Sequence, residues 1–533
     1  MTAGPPSLHR DRRRWAWGIT ALVLLVWSLA GAGLFSGPVL NPSGIAQFGR
    51  FAGAALSPAH DRGFLGVLAE ATLVTVAYAA LGAALAVLLG ALCAVAVART
   101  TWGRRRAGWT TTRALLAVPR GLHEAVWGLL LVNVLGLDPW VGVLAIGIPY
   151  GAITAKVFAD LLDEVPRGSY HALLAAGAGR GAAALYGLLP PAAGGLLAYS
   201  FYRLECAVRS AVVLGLIGAG GLGYQLSLSF FSLRWEEVWS SVYALAGLCL
   251  VTEFAGRTVR RRVATPRPSG GSRPGRDRLL ISAVLGTLAL VAWSWWFLAL
   301  SPATLISERT REQFSYVFGA AWPPATDGDL LRAIASTAVD TVQMSVIAIA
   351  LATVGSVLLA GVAARPAGAL GFGRRSAGSL VRMGLLLLRA VPPPVWALVL
   401  LFMFLPGVLP GALALGVYTL GVLGRLVADA AESVDFRPLG ALRAAGASPV
   451  GGWLYGVLPA LGGPVVALAL YRWEVAIRDT VLVGLLGAGG IGVLLSARIA
   501  AFDWAAVGTV LVAIVLLTLA VDLVSERART ALR

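Results

Sequence analysis

The sequence is short of charge, nearly without cysteine and almost without lysine, and each shortage removes a class of function. Charged residues are 13% of its 533 positions, against about 25% in soluble domains, which excludes an ordinary soluble globule. The three cysteines, Cys93, Cys206 and Cys249, all fall inside apolar stretches. They match neither a zinc spacing nor a disulfide framework and read as packing residues. The sole lysine, Lys156, lies in Thr-Ala-Lys-Val. The Gly-Lys-Ser/Thr of a phosphate-binding loop is therefore missing, and the chain cannot hydrolyse ATP through one. Four scattered histidines offer no metal cluster and no nucleophile–base triad. No cofactor is expected in this chain.

Apolar residues are abundant at 58%, and they come in runs of roughly 20 or more, the length that crosses a bilayer. Twelve spans are expected, near 15–36, 65–98, 111–134, 140–163, 188–215 and 237–257, then 279–301, 330–363, 380–404, 409–433, 457–484 and 506–526. The fold class is an all-α polytopic membrane protein. The net charge of +17 is concentrated between the runs, at Arg10–Arg14, Arg104–Arg106, Arg257–Arg262, Arg374–Arg375 and Arg527–Arg533. That is the positive-inside pattern, not a nucleic-acid surface. It places both termini in the cytoplasm with 99–110, 164–187, 258–278, 364–379 and 434–456. The segments 37–64 and 302–329 are then outside. The apolar run from Trp15 is long for a signal peptide and lacks a convincing cleavage site, so a retained first span is expected.

The chain is also duplicated. Arg120–Trp235 returns without a gap as Arg389–Trp504, a shift of 269 positions. The expected division is 1–258 for the first six-span repeat, 259–278 for a cytoplasmic Pro/Gly/Ser/Arg-rich linker, and 279–533 for the second repeat. An even number of spans per repeat makes the two parallel. Each copy carries charges inside an apolar span: Tyr202, Arg203, Glu205 and Arg209, then Tyr471, Arg472, Glu474 and Arg478. The spacing lets Glu205 pair with Arg209 and Glu474 with Arg478 on one helix face. An unpaired ion at the bilayer centre costs at least about 2.5–3.5 kcal/mol. These groups therefore either line a route for an anion or form a structural ion-pair network, and both can hold.

Behind each charged stretch comes a glycine cluster, Gly218, Gly220, Gly221 and Gly223, repeated as Gly487, Gly489, Gly490 and Gly492. The first literally satisfies GxGxxG, but a dinucleotide site needs a preceding strand in a βαβ unit. In an apolar helical setting these glycines serve close helix contact or a bend.

The segment between the fourth and fifth spans reads His171-Ala172-Leu-Leu-Ala-Ala-Gly177, ending in Leu189-Pro190. Its repeat reads Gly440-Ala441-Leu-Arg-Ala-Ala-Gly446, ending in Leu458-Pro459. The Ala-rich stretch should form a short helix, the glycine should end it, and Leu-Pro should open the next span. Here the chain resembles the membrane subunits of binding-protein-dependent ATP-binding-cassette importers. The family usually has Glu where His171 and Gly440 stand. Tyr471-Arg-Trp-Glu-Val-Ala-Ile-Arg478, Gly487-Ala-Gly-Gly-Ile-Gly492, Arg389-Ala-Val-Pro-Pro-Pro-Val-Trp396 and Gly421-Val-Leu-Gly-Arg425 resemble the phosphonate-import permease subfamily. The first copy departs from it with His123 for Pro392 and Lys156 for Arg425.

The resemblance implies two fused units of the type I importer permease fold in a bacterial inner membrane. It also implies an external binding protein that delivers a phosphonate or related oxyanion. Two copies of a cytoplasmic ATPase would use the ATP and dock at the loops around Gly177 and Gly446. Iron- or thiamine-type permeases, a gradient-driven secondary transporter and a membrane enzyme are the competing expectations.

Overall fold

The computed structural model describes residues 8–35, 39–102, 106–264, 277–364 and 372–532. Most of the expected linker, 265–276, lies outside the described residues. In chain order the helices are α1 (Leu8–Gly31), α2 (Pro42–Ala54), α3 (Arg62–Val97), α4 (Arg99–Trp102), α5 (Arg106–Leu115), α6 (Ala117–Gly121), α7 (Glu124–Leu135) and α8 (Trp140–Glu164). Then follow α9 (Gly168–Ala175), α10 (Arg180–Gly187), α11 (Leu189–Leu214) with a π-turn at Gly215–Ala219, α12 (Gly221–Phe231) and α13 (Trp235–Ala264). The second half has α14 (Arg278–Phe297), α15 (Pro302–Ile306), α16 (Glu308–Ala320), α17 (Gly328–Ala363), α18 (Phe372–Ala390), α19 (Pro393–Met403) and α20 (Val408–Glu432). It closes with α21 (Arg437–Ala444), α22 (Pro449–Gly456), α23 (Leu458–Gly484), α24 (Ile491–Ala500) and α25 (Trp504–Leu532). Among the described residues there is no strand, only an isolated antiparallel bridge between Leu40 and Phe404. The all-α membrane class holds.

Among the described residues, eight helices are long and apolar enough to cross a bilayer, or up to ten when each of two bent pairs is one span. Twelve unbroken spans were expected, and the difference has local causes. The expected span 111–134 divides into α5, α6 and α7 around Pro119 and Gly121. The expected span 380–404 bends by 91° between α18 and α19. There Pro392, Pro393 and Pro394 remove three successive backbone donors and push the preceding residue out of the helical region. The apolar part of α1, Trp15–Gly31, is itself among the shorter helices.

The helices pack into two compact units, residues 54–319 and residues 1–53 with 320–533. These units differ from the sequence repeats by an exchange of first spans. α1 packs on α17 and α25, whereas α14 packs on α3 and α13. A side chain at Gly31 would overlap Gln343 of α17, and Trp140 of α8 donates at 2.8 Å to the Ser301 carbonyl while meeting Trp295 edge-on.

In the first-half unit α3 and α8 form the central pair, lying close because glycines alternate across the contact. A β-carbon at Gly82 would sit 2.7 Å from Ile146, and one at Gly90 2.5 Å from Thr154. Gly142 and Gly147 face Tyr78 and Leu85 in return. Small residues admit such approach where lipid supplies no hydrophobic drive between helices. The equivalent pair α17 and α20 meets through Gly355 against Leu420 and Gly416 against Leu351. Overpacking costs about 1–3 kcal/mol, so Gly90→Leu should lower the melting temperature of the purified protein by several degrees. Gly66→Leu, at an open site on the same helix, should leave it unchanged in the same melt.

Candidate functional site

Each loop between the central helix and the charged helix folds into a helical hairpin. α9 ends in a Schellman cap. The Gly177 N–H donates to the Leu174 carbonyl and the Ala178 N–H to that of Leu173, both at 3.0 Å. Gly446 and Ala447 do the same with Arg443 and Leu442 after α21, at 3.0 and 2.9 Å. Both glycines have φ of +87°, a conformation that a β-carbon disfavours. The chain then returns as α10 or α22 and crosses its partner backbone to backbone. A β-carbon at Gly187 would stand 3.0 Å from Tyr170, and one at Gly456 3.0 Å from Leu439.

Leu189-Pro190 and Leu458-Pro459 open α11 and α23, with proline in the first turn where its missing donor is harmless. Tyr170 and Leu439 root each hairpin in the body, while His171, Ala172 and Gly177, and Gly440, Ala441 and Gly446, face outward. The second short helix was not expected. Its aromatic tips, Tyr186 at 72% and Tyr455 at 78% exposure, are equivalent under the 269-residue shift, and that equivalence was the available signal.

The charged side chains divide into two sets. Glu205 pairs with Arg209 at 3.9 Å and with Arg260 of α13 at 3.6 Å. Glu474 pairs with Arg529 of α25. Arg260 and Arg529 are themselves equivalent, so in each half a glutamate ties the charged helix to the last helix of its sequence repeat. Following the duplication beyond Trp235 would have revealed both. Arg203 and Arg472 are buried away from these carboxylates, about 21 Å along their helices by the helical rise. Tyr202 and Tyr471 are partly exposed beside them.

The glycine clusters turn the chain sharply at the far ends of α11 and α23. Gly218, Gly220 and Gly221 have φ of +102°, +89° and +76°, and Gly487, Gly489 and Gly490 have +90°, +91° and +76°. Gly223 and Gly492 admit the returning chain, since a β-carbon there would lie 1.8 Å from the Val212 carbonyl oxygen and 2.1 Å from that of Val481. The restarted helix is braced in both copies. The Leu222 N–H donates at 2.8 Å to Thr75 Oγ1 of α3, and the Ile491 N–H at 2.9 Å to Thr341 Oγ1 of α17. Neither threonine was singled out from sequence. Among the described residues, no group of three or more His, Cys, Asp or Glu could hold a metal.

Hairpins, charged helices and glycine turns all fall within two matches to one profile. The binding-protein-dependent transport system inner membrane component matches residues 86–265 and again 356–533. The chain belongs to this family. This permease is similar to the phosphate-import permease protein PhnE of Mycolicibacterium smegmatis, 29% identical over 486 residues, covering 89% of this chain and 86% of the relative. The phosphite transport system permease protein PtxC of Stutzerimonas stutzeri is 33% identical over 244 residues, 45% of this chain and 84% of that one. The putative cryptic phosphonate transport system permease protein PhnE2 of Escherichia coli is 38% identical over 117 residues, 22% of this chain and 96% of that one. No solved structure matches the chain.

For the permease's ion pairs, breaking a fully buried pair costs about 3–5 kcal/mol. Glu474 and Arg529 are partly exposed and should cost less. Arg529→Glu should sharply reduce the yield of monodisperse protein on gel filtration. Adding Glu474→Arg should restore at least half of that yield. No recovery would show that the pair does not act as one.

Proposed function

We propose that this chain forms the transmembrane pathway of an ATP-driven importer for a phosphorus oxyanion. The carrying observation is the Schellman-capped hairpin that occurs twice, 269 residues apart, rooted in the bundle and exposed on its outer face. Such a hairpin is a lever. Its ends continue directly into α8 and α11, or α20 and α23, so a push on it moves helices carrying buried arginines and a glycine turn. Two copies of a cytoplasmic ATPase dock there, one per hairpin, and supply the energy that this chain cannot generate. Both termini lie on that side of the membrane, and a binding protein delivers substrate on the other. The permease's own chemistry is gating, with no covalent step.

The substrate class is supported by relatives named for phosphate, phosphite and phosphonate transport and by the buried guanidinium group of Arg472. Arginine matches tetrahedral oxyanions through a rigid fork of donors.

Two measurements test this reading. The chain with its ATPase and binding protein should import radiolabelled phosphate, phosphite or methylphosphonate into proteoliposomes, while ferric iron and thiamine do not compete. Import driven by an ion gradient without ATPase would sink it. Replacing Gly177 and Gly446 together by leucine should cut import at least tenfold, with ATP hydrolysis continuing and membrane insertion unchanged. Normal import by that double variant would refute docking at the hairpins.

A further inference from the structure

The duplication puts an arginine at the same place in both halves, yet the two lie in different surroundings. Arg203 is 7% exposed and donates to the Tyr199 hydroxyl. Its guanidinium carbon lies 4.9 Å from the ring centres of Tyr150 and Tyr199 and 5.9 Å from that of Tyr202. Tyr150 is held in turn, sharing a 2.6 Å hydrogen bond with Ser210, whose hydroxyl donates at 2.6 Å to Glu124 of α7. Three ring faces and one acceptor offset much of the cost of burying this cation. Among its buried atoms, only Nε lacks a partner.

Arg472 is just as buried, at 8% exposure, but its cage is missing. Leu468 stands where Tyr199 does, and Thr419 where Tyr150 does. One aromatic contact remains, Tyr418 at 6.0 Å, the outer edge of a useful cation–π distance. Nε and Nη2 of Arg472 have no hydrogen-bond partner among the described residues, and neither does the hydroxyl of the fully buried Thr419. Glu474, two residues on, is engaged by Arg529. The counterpart of Ser210 is Asp479, a buried carboxylate on the same helix with an interaction of its own. Nε and Nη2 of Arg472 and the Thr419 hydroxyl are still left as donors without acceptors, an arrangement that is costly to bury unless an anion completes it. Thr154 of α8 is also buried with an unpartnered hydroxyl, but it packs against Gly90 of α3 and its counterpart in the second half is Leu423.

We propose that Arg472 and Thr419 form an oxyanion site inside the second-half unit, and that Arg203 is a structural anchor with no equivalent role. This rests on the reading of the chain as an oxyanion permease and makes its two halves unequal. A tetrahedral phosphorus oxyanion accepts charge-assisted hydrogen bonds from the guanidinium edge and one from the threonine hydroxyl. The tyrosines around Arg203 already occupy the corresponding positions.

The test is the thermal unfolding of the purified full chain in detergent, with phosphate, phosphite or methylphosphonate against chloride at matched ionic strength. A ligand that binds only the folded state raises the melting temperature. At least one of the three oxyanions should raise that of the wild type by about 2 °C or more. Arg472→Gln and Thr419→Val should abolish the shift. Arg203→Gln should melt lower from the outset and keep the shift; if it does not fold, Arg203→Lys takes its place. Absence of a wild-type shift, a shift surviving Arg472→Gln, or equal loss in the Arg203 and Arg472 variants would each overturn the assignment. Import by the complete transporter separates this from the underlying reading. Normal import alongside a shift that survives Arg472→Gln removes the site alone, whereas absence of oxyanion import removes the reading beneath it.

Discussion

The proposed lever depends on two backbone crossings, Tyr170 against Gly187 and Leu439 against Gly456. Without glycine at the second position of each pair, the short helices could not lie flat on one another, and the loop would be a tether, not a lever. The left-handed Gly177 and Gly446 set the angle, while Tyr170 and Leu439 root the hairpin in buried clusters with Leu188 and Leu461. From there the path runs through rigid helices. α11 and α23 begin one residue after the hairpin, carry the arginines at mid-length and end at glycine turns braced by Thr75 and Thr341. In the proposed cycle a displacement of the hairpin reaches the glycine turn along these helices.

Charge is handled with the same economy. Each half neutralises one glutamate with an arginine from the last helix of its sequence repeat, at positions that the duplication makes equivalent. The pairs fix the charged helix against α13 or α25, and Arg203 and Arg472 lie buried outside them. Duplication then allowed divergence. Tyrosines close around one arginine, while leucine and threonine stand beside the other. Ser210 is matched by Asp479 and Glu124 by Pro393, so the acidic group beside the charged helix has also changed element.

Much of this was legible in the residues. The shift of 269 positions reproduces the bounds of α9 and α21, and of α10 and α22, residue for residue, because identical turn chemistry at identical spacing folds identically. Composition revealed most of the spans, and the Ala-rich stretch ended by glycine revealed the first short helix of each hairpin but not the second. The exchange of first spans was hidden, since contacts such as Gly31 with Gln343 join residues far apart in the chain and leave no local pattern. Thr75 and Thr341 were hidden for another reason. A threonine in an apolar helix ordinarily bonds the carbonyl one turn back, as both do, and nothing in the sequence says that a remaining lone pair caps another helix. The pairing of Glu474 with α25 was hidden as well, because a spacing of four points only to a partner on its own helix.

The most direct test of the lever is hydrogen–deuterium exchange of the permease with and without its ATPase. The account predicts slowed exchange at residues 168–187 and 437–456 together on ATPase binding, with the opposite ends of α11 and α23 changing only when nucleotide is added. Protection confined to one hairpin, or appearing elsewhere while both hairpins exchange as before, would contradict it.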